Sequence, residues 1–280
     1  MKIKEYAPAK INLYLEVLNK RADGYHNIET IMHAIPLYDI IEIEEINADL
    51  VNLKSLNSDI PCDQTNLVYK AASLVKKTFN IDKGLDIVLT KKIPHGAGLG
   101  GGSSDAASVI KALVKLWDIK ASNDKLVEIS RQLGADVAFF LYGGTAFCQD
   151  IGEKVTPLEG VGIFEKILLV NPNINVMTKS IYSKLSFPLT NPIEINKMAL
   201  ISLRGSLTQQ SVFPFYNRFE EIVFSQYPQI KRIKDIITAC GLRSLMSGSG
   251  SSVFGISSDQ SSIDQCVADL SEFNCSVWQL

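Results

Sequence analysis

Apolar and polar side chains alternate in the first segment of the chain. Ile11, Leu13, Leu15 and Val17 fall on one face of a strand, and Lys10, Asn12, Tyr14 and Glu16 on the other. A period of two predicts β structure over Lys2 to Glu16. The polar face is expected to look away from the core, and Pro8 suits an edge or a strand start. Strand character resumes from Ile28 to Ile46, and Ala48 to Asp63 reads as loops around one short strand. A helix begins near Gln64, with Thr65 or Asn66 as its N-cap. Leu85 to Thr90 alternates again as a strand. Ala106, Val109, Ile110, Leu113, Val114 and Trp117 then share one helical face. Ser122 to Leu133 is a second amphipathic helix, with Ser122 or Asn123 as its cap and Gly134 as its stop.

The later pattern is less regular. Thr145 to Leu158 predicts two short strands around Asp150-Ile-Gly-Glu, and Pro157 to Gly162 suits a domain boundary. Lys166 to Pro172 reopens with a buried strand. Asn191 to Val212 is weakly patterned, and Phe215 to Val223 and Pro228 to Cys240 read as helices. Leu245 to Gly255 is a glycine/serine turn between strands, followed by a helix over Ser261 to Leu270 and a strand over Cys275 to Trp278. Strands and helices mixed in this way predict an α+β fold, and the length suits one large domain or two modest ones, divided as 1–158 and 159–280.

Composition narrows the function classes. With 46% hydrophobic and 21% charged residues the chain reads as a soluble globular protein. A net charge of -2 without a Lys/Arg block gives no reason to expect a nucleic-acid partner. There is no apolar run long enough to cross a bilayer and no signal-peptide core, so a cytoplasmic protein is expected. The five cysteines are scattered and form no Cys-x-x-Cys or Cys/His cluster, which argues against zinc or a disulfide framework.

The chemistry concentrates between Ile93 and Ser108. Glycines there free the backbone for positive φ and close approach to a ligand, and the following helix N-terminus favours anions. Phosphate binding is the expectation, with a Gly/Ser linker as the bland alternative. The stretch is not a P-loop, because no lysine follows the glycines. It is not a dinucleotide fingerprint either, because Asp118 arrives too early to close a second strand. Asp136 stands alone in an apolar run, where a carboxylate needs a partner or a task. It is either the N-cap of the Val137 to Leu141 turn or a functional acid. Tyr25 and His26 follow the Asp23-Gly24 turn and suit either a hairpin tip or a site.

The run Pro94-His-Gly-Ala-Gly-Leu-Gly-Gly-Gly-Ser-Ser-Asp-Ala-Ala107 resembles the phosphate loop of the GHMP kinases. Pro8-Ala-Lys-Ile-Asn-Leu-Tyr-Leu and Arg21-Ala-Asp-Gly-Tyr-His resemble one branch of that superfamily, whose alcohol substrate carries a cytidine diphosphate on methylerythritol. Gly134-Ala-Asp-Val-Ala-Phe-Phe is similar to the segment bearing that family's catalytic base, with Ala138 where the family usually has proline.

The resemblance implies a two-domain fold, with a mixed-sheet ATP-binding domain followed by an antiparallel sheet with helices. It implies ATP and Mg2+ as cofactors, phosphorylation of the 2-hydroxyl of a small-molecule substrate, and a monomer or homodimer. Asp136 would be the base and Lys10 its catalytic partner. ATP would lie on Pro94, His95, Gly96, Ala97, Gly98, Leu99, Gly100, Gly101, Gly102, Ser103 and Ser104. Asn66 would add a contact to the nucleotide, or serve only as a cap. Asn12, Tyr25, His26, Thr178 and Tyr182 would hold the substrate, with Tyr182 stacked on cytosine or, as the competing reading, merely a core aromatic. The magnesium ligands are not assigned. Other outcomes within the resemblance are a kinase for mevalonate, homoserine or a sugar, or a non-catalytic nucleotide-binding relative.

Overall fold

The computed structural model describes residues 1–162, 165–185, 205–206 and 215–280. The weakly patterned stretch Asn191 to Val212 lies outside the described residues except for Gly205 and Ser206. Two compact units make up the chain, and neither is continuous in sequence. One comprises Met1–Ala9, Ala34–Pro94 and Gly100–Gly143; the other comprises Lys10–His33, His95–Leu99 and Gly144–Leu280. Two long strands, β1 (Lys2–Lys20) and β2 (His26–Ile46), contribute residues to both.

In the first unit, β2 pairs antiparallel with β4 (Gly84–Thr90), and β3 (Val51–Ser55) lies parallel to β4, which makes a mixed sheet. Alternation along β2 and β4 buries Ile41, Ile43, Leu85, Ile87 and Leu89. Helix α1 (Leu67–Phe79) packs on α2 (Gly101–Leu116), and α2 packs on α4 (Val137–Tyr142). Ala106, Ala107 and Ala112 are fully buried on α2, so small side chains admit close neighbours. Helix α3 (Asn123–Arg131) is capped by the Ser122 hydroxyl, which accepts from the Lys125 amide and is one of the two caps the sequence allows.

The second unit carries a separate antiparallel sheet. Its strands run in the order β11 (Arg243–Met246), β12 (Val253–Ser257), β8 (Lys166–Asn171) and β13 (Ser276–Gln279). Ile230, Ile233 and Ile237 of α7 (Pro228–Ala239) and Ile263 of α8 (Gln260–Asp269) join Leu168, Val170 and Val253 of the sheet in one core. Elsewhere in this unit β5 (Thr145–Gln149) pairs with β2 and with β6 (Lys154–Pro157). A two-residue strand β7 (Val161–Gly162) pairs with β9 (Gly205–Ser206). Helix α5 (Thr178–Tyr182) follows β8.

Two expectations change. The polar face of β1, expected to look away from the core, is enclosed: Lys10 is 4% exposed, Asn12 1%, and Tyr14 and Glu16 are fully buried. Lys10, Asn12 and Glu16 there each have a built partner, which is what burial requires. The helix expected from Phe215 starts later, as α6 (Phe219–Gln226), because Tyr216–Asn217 forms a short strand, β10, parallel to β1. The Asn217 carboxamide oxygen accepts the Phe219 amide at 2.9 Å and so turns the chain into the helix.

Candidate active site

Three segments far apart in sequence meet at the Gly98 carbonyl. The Lys10 ammonium donates to it at 2.7 Å across 88 positions, and the Ser247 hydroxyl donates to it at 2.9 Å. Lys10 also donates to Asn12 Oδ1 at 2.6 Å. Asn12 Nδ2 in turn donates to Thr30 Oγ1 at 2.7 Å, and the Thr30 hydroxyl donates to the Tyr14 carbonyl. The Asn12 carboxamide is thus engaged on both sides in orienting Lys10. Its place beside Lys10 on β1 follows from the period of two.

The glycine loop owes its path to left-handed positions that favour glycine. Gly96, Gly98 and Gly100 all have positive φ, at +64°, +76° and +70°. A Cβ on Gly98 would meet the Ser247 carbonyl oxygen at 2.1 Å. Backbone bonds from Lys10 N to the Leu99 carbonyl and from Ser252 N to the Ala97 carbonyl hold the loop in place. Ala97 and Leu99 point into the interior, while His95 and Gly96 are exposed. Helix α2 then starts at Gly101, behind a glycine N-cap with no side chain to cap it. An uncapped helix start leaves its first amides without intrahelical partners, the arrangement that favours anions.

Ser103 is partly exposed at this helix start, whereas Ser104 is fully buried and its hydroxyl has no hydrogen-bond partner. Of the two serines, Ser103 has access to a ligand. Asp136 occupies the N-cap position of α4 but its carboxylate makes no capping hydrogen bond, so the capping role is not filled. It is partly exposed where the buried segment Val137 to Phe140 begins. Asn66 does cap: its carbonyl oxygen accepts the Val68 amide at 2.8 Å, and its Nδ2 donates to the Pro61 carbonyl.

Of the aromatic candidates, His26 stacks on Tyr182, with ring centroids 4.9 Å apart and planes at 28°. Tyr182 sets its edge against Phe219 at 4.8 Å. Burial, helped by the charge of Lys20, holds His26 below the ordinary histidine value, so its ring is neutral near pH 7 and can both donate and accept. Tyr25 is 61% exposed and stands outside this stack. The Thr178 and Ser249 hydroxyls are 2.7 Å apart, which links α5 to the second glycine turn.

The sequence shows the glycine/serine turn that carries Ser247 but gives Asn217 no role. Asn217 Nδ2 donates to the Met246 and Gly248 carbonyls, at 2.7 and 2.8 Å, and fixes the turn that places Ser247. The signal for Asn217 was a polar residue ahead of an apolar helix, read as helix interior instead of as its start. Among the described residues no three His, Cys, Asp or Glu side chains gather into a cation site, and no helix is long and apolar enough to cross a membrane.

Residues 66–144 match the family model of the GHMP kinase N-terminal domain, and residues 196–274 match that of the GHMP kinase C-terminal domain. The chain is 42% identical over 257 residues to a 4-diphosphocytidyl-2-C-methyl-D-erythritol kinase of Caldicellulosiruptor saccharolyticus, covering 91% of this chain and 88% of that one. The same-named kinase of Bacillus velezensis is 38% identical over 274 residues, covering 98% and 94%. A crystal structure of a 4-(cytidine 5'-diphospho)-2C-methyl-D-erythritol kinase superposes with a TM-score of 0.78 at 33% identity, covering 99% of this chain and 98% of that one.

Proposed function

The chain belongs to the GHMP kinases and, within them, to the 4-diphosphocytidyl-2-C-methyl-D-erythritol kinases, and on that footing we propose that it transfers the γ-phosphoryl group of ATP to the 2-hydroxyl of 4-diphosphocytidyl-2-C-methyl-D-erythritol. This is a step of the non-mevalonate route to isoprenoid precursors. The observation that carries the reading is the Lys10 bond to Gly98, which joins the branch-specific opening motif to the glycine loop.

Phosphoryl transfer asks for positioned phosphates, neutralised charge and an aligned hydroxyl. The loop from Pro94 to Ser103 cradles the nucleotide phosphates through backbone amides and the start of α2. Asp136 accepts the proton of the 2-hydroxyl as its oxygen bonds to the γ-phosphorus and the bond to ADP breaks. Lys10 supplies positive charge for the transferring group. His26 and Tyr182 receive the cytosine, the ring faces by stacking and His26 by hydrogen bonds to the base edge. Magnesium would come with the nucleotide and neutralise phosphate charge, since among the described residues no three His, Cys, Asp or Glu side chains gather into a cation site. We place the reaction in the cytoplasm and the enzyme as a monomer or homodimer.

The product tests the reading. Phosphorus NMR of the reaction mixture is expected to show a new phosphomonoester on a molecule that keeps its diphosphate bridge. A phosphate placed on any other hydroxyl would overturn the assignment.

A further inference from the structure

Lys91, Asp39 and Asp105 form a buried ion cluster in the first unit that none of the steps above uses. Asp39 is fully buried, Asp105 is 2% exposed, and the Lys91 side chain is nearly as enclosed. The Lys91 ammonium is bonded to Asp39 Oδ2 and, at 2.7 Å, to Asp105 Oδ2. The second Asp39 oxygen accepts two backbone amides, from Lys92 and, at 2.9 Å, from Ile93. A Cβ on Gly101 would lie 3.3 Å from the Lys91 ammonium and 3.0 Å from an Ile93 methyl. The cluster therefore touches both stems of the glycine loop: Lys92 and Ile93 as the chain enters, Gly101 and Asp105 as it leaves.

A buried triad is costly to assemble, and swapping such a group for apolar residues often stabilises a protein. This one also leaves Asp105 Oδ1 buried without a partner. Burial and the nearby Asp39 charge outweigh Lys91 and raise the Asp105 carboxyl to about 7. Burial pulls the Lys91 ammonium down, but the two carboxylates more than offset it and hold it above the ordinary lysine value. An unsatisfied buried carboxylate near the start of a helix marks a place where local stability yields to another demand.

We propose that Asp39, Lys91 and Asp105 are positioning residues that set the spacing of the two loop stems and so the fit of the loop to ATP phosphates. The proposal rests on reading the loop as the phosphate cradle. None of the three side chains needs to touch the nucleotide. Their effect runs through the Lys92 and Ile93 amides on one side and the first turn of α2 on the other.

The test is steady-state kinetics with both substrates varied, on Lys91→Met and on the milder Asp105→Asn. Gly100→Ala serves as a control in the loop itself. KM for ATP is expected to rise tenfold or more in Lys91→Met and two- to fivefold in Asp105→Asn, with kcat and the KM of the alcohol within twofold of the parent. Isothermal titration with ATP alone should show the same order of weakening. If Lys91→Met does not fold, Asp105→Asn carries the comparison. Unchanged ATP KM in Asp105→Asn and Lys91→Met, with a lowered Tm, would make the cluster purely structural and overturn the proposal. A fall in kcat with both KM values shifted together would overturn it too. If Gly100→Ala leaves ATP binding intact, the cradle reading fails and the proposal falls with it. If Gly100→Ala weakens ATP while the cluster variants do not, only the proposal fails.

Discussion

Lys10 and Gly98 are joined by a 2.7 Å hydrogen bond from the ammonium to the carbonyl, and that bond ties a strand side chain to the backbone of the glycine loop. The same carbonyl accepts the Ser247 hydroxyl, so loop, lysine and second turn are tied at one atom. Replacing Lys10 by Met removes the charge and leaves Asn12 Oδ1 and the Gly98 carbonyl short of a donor. Turnover is expected to fall by about a hundredfold or more, as for loss of a group that stabilises transition-state charge. Stability should fall by only about 1–3 kcal/mol for the unsatisfied acceptors. Initial-rate assays and urea unfolding check the two halves. Full turnover in the variant would remove Lys10 from the chemistry.

Gly98→Ala is expected to be more damaging to the fold than to any single contact. The +76° φ already disfavours a side chain by about 1–2 kcal/mol, and the new Cβ would collide with the Ser247 carbonyl. A drop of several °C in Tm together with loss of ATP binding is expected, by calorimetry and titration.

Asn217→Ala strips the hydrogen bonds from the Met246 and Gly248 carbonyls and from the Phe219 amide. Three buried groups left unpaired should cost about 3 kcal/mol or more. Hydrogen exchange should show faster opening of residues 246–252 than of β8, because the turn loses its anchor while the sheet keeps its ladder.

Two buried groups give opposite pH slopes to stability. Burial lowers His33 to about 4, and its Nδ1 is bonded to Thr145 Oγ1. Below its unfolded value the unfolded chain takes up a proton that the folded ring refuses, so stability is lost as pH falls from about 6.5 to 4. The effect is on the order of 2 kcal/mol. Asp105, raised to about 7, acts the other way: the folded state holds a proton that the unfolded chain releases, so stability is lost as pH rises from about 4 to 7. Denaturant titrations across that range are expected to steepen in favour of high pH in Asp105→Asn, and to lose the acid-side fall in His33→Gln.

Much of this arrangement could be read from the chain because its signals are local. The glycines of the loop, the Asn66 and Ser122 caps and the alternation of β2 and β4 each announce themselves within a few residues. The burial of Lys10 and Asn12 could not be read that way. Alternation shows which side chains share a face, but whether that face meets water depends on segments such as Gly98 and Ser247. The Lys91 cluster was hidden for the same reason, since Asp39 lies 52 positions before its lysine. Asn217 was misplaced because helix propensity around Phe219 masked a two-residue strand pairing with β1.

The most direct measurement is ADP release by the purified protein with ATP, magnesium and 4-diphosphocytidyl-2-C-methyl-D-erythritol, beside the same alcohol without its cytidine diphosphate. A kinase whose His26 and Tyr182 receive cytosine should turn over the first and leave the second essentially untouched. Equal turnover of both, or turnover of neither, would contradict the substrate assignment.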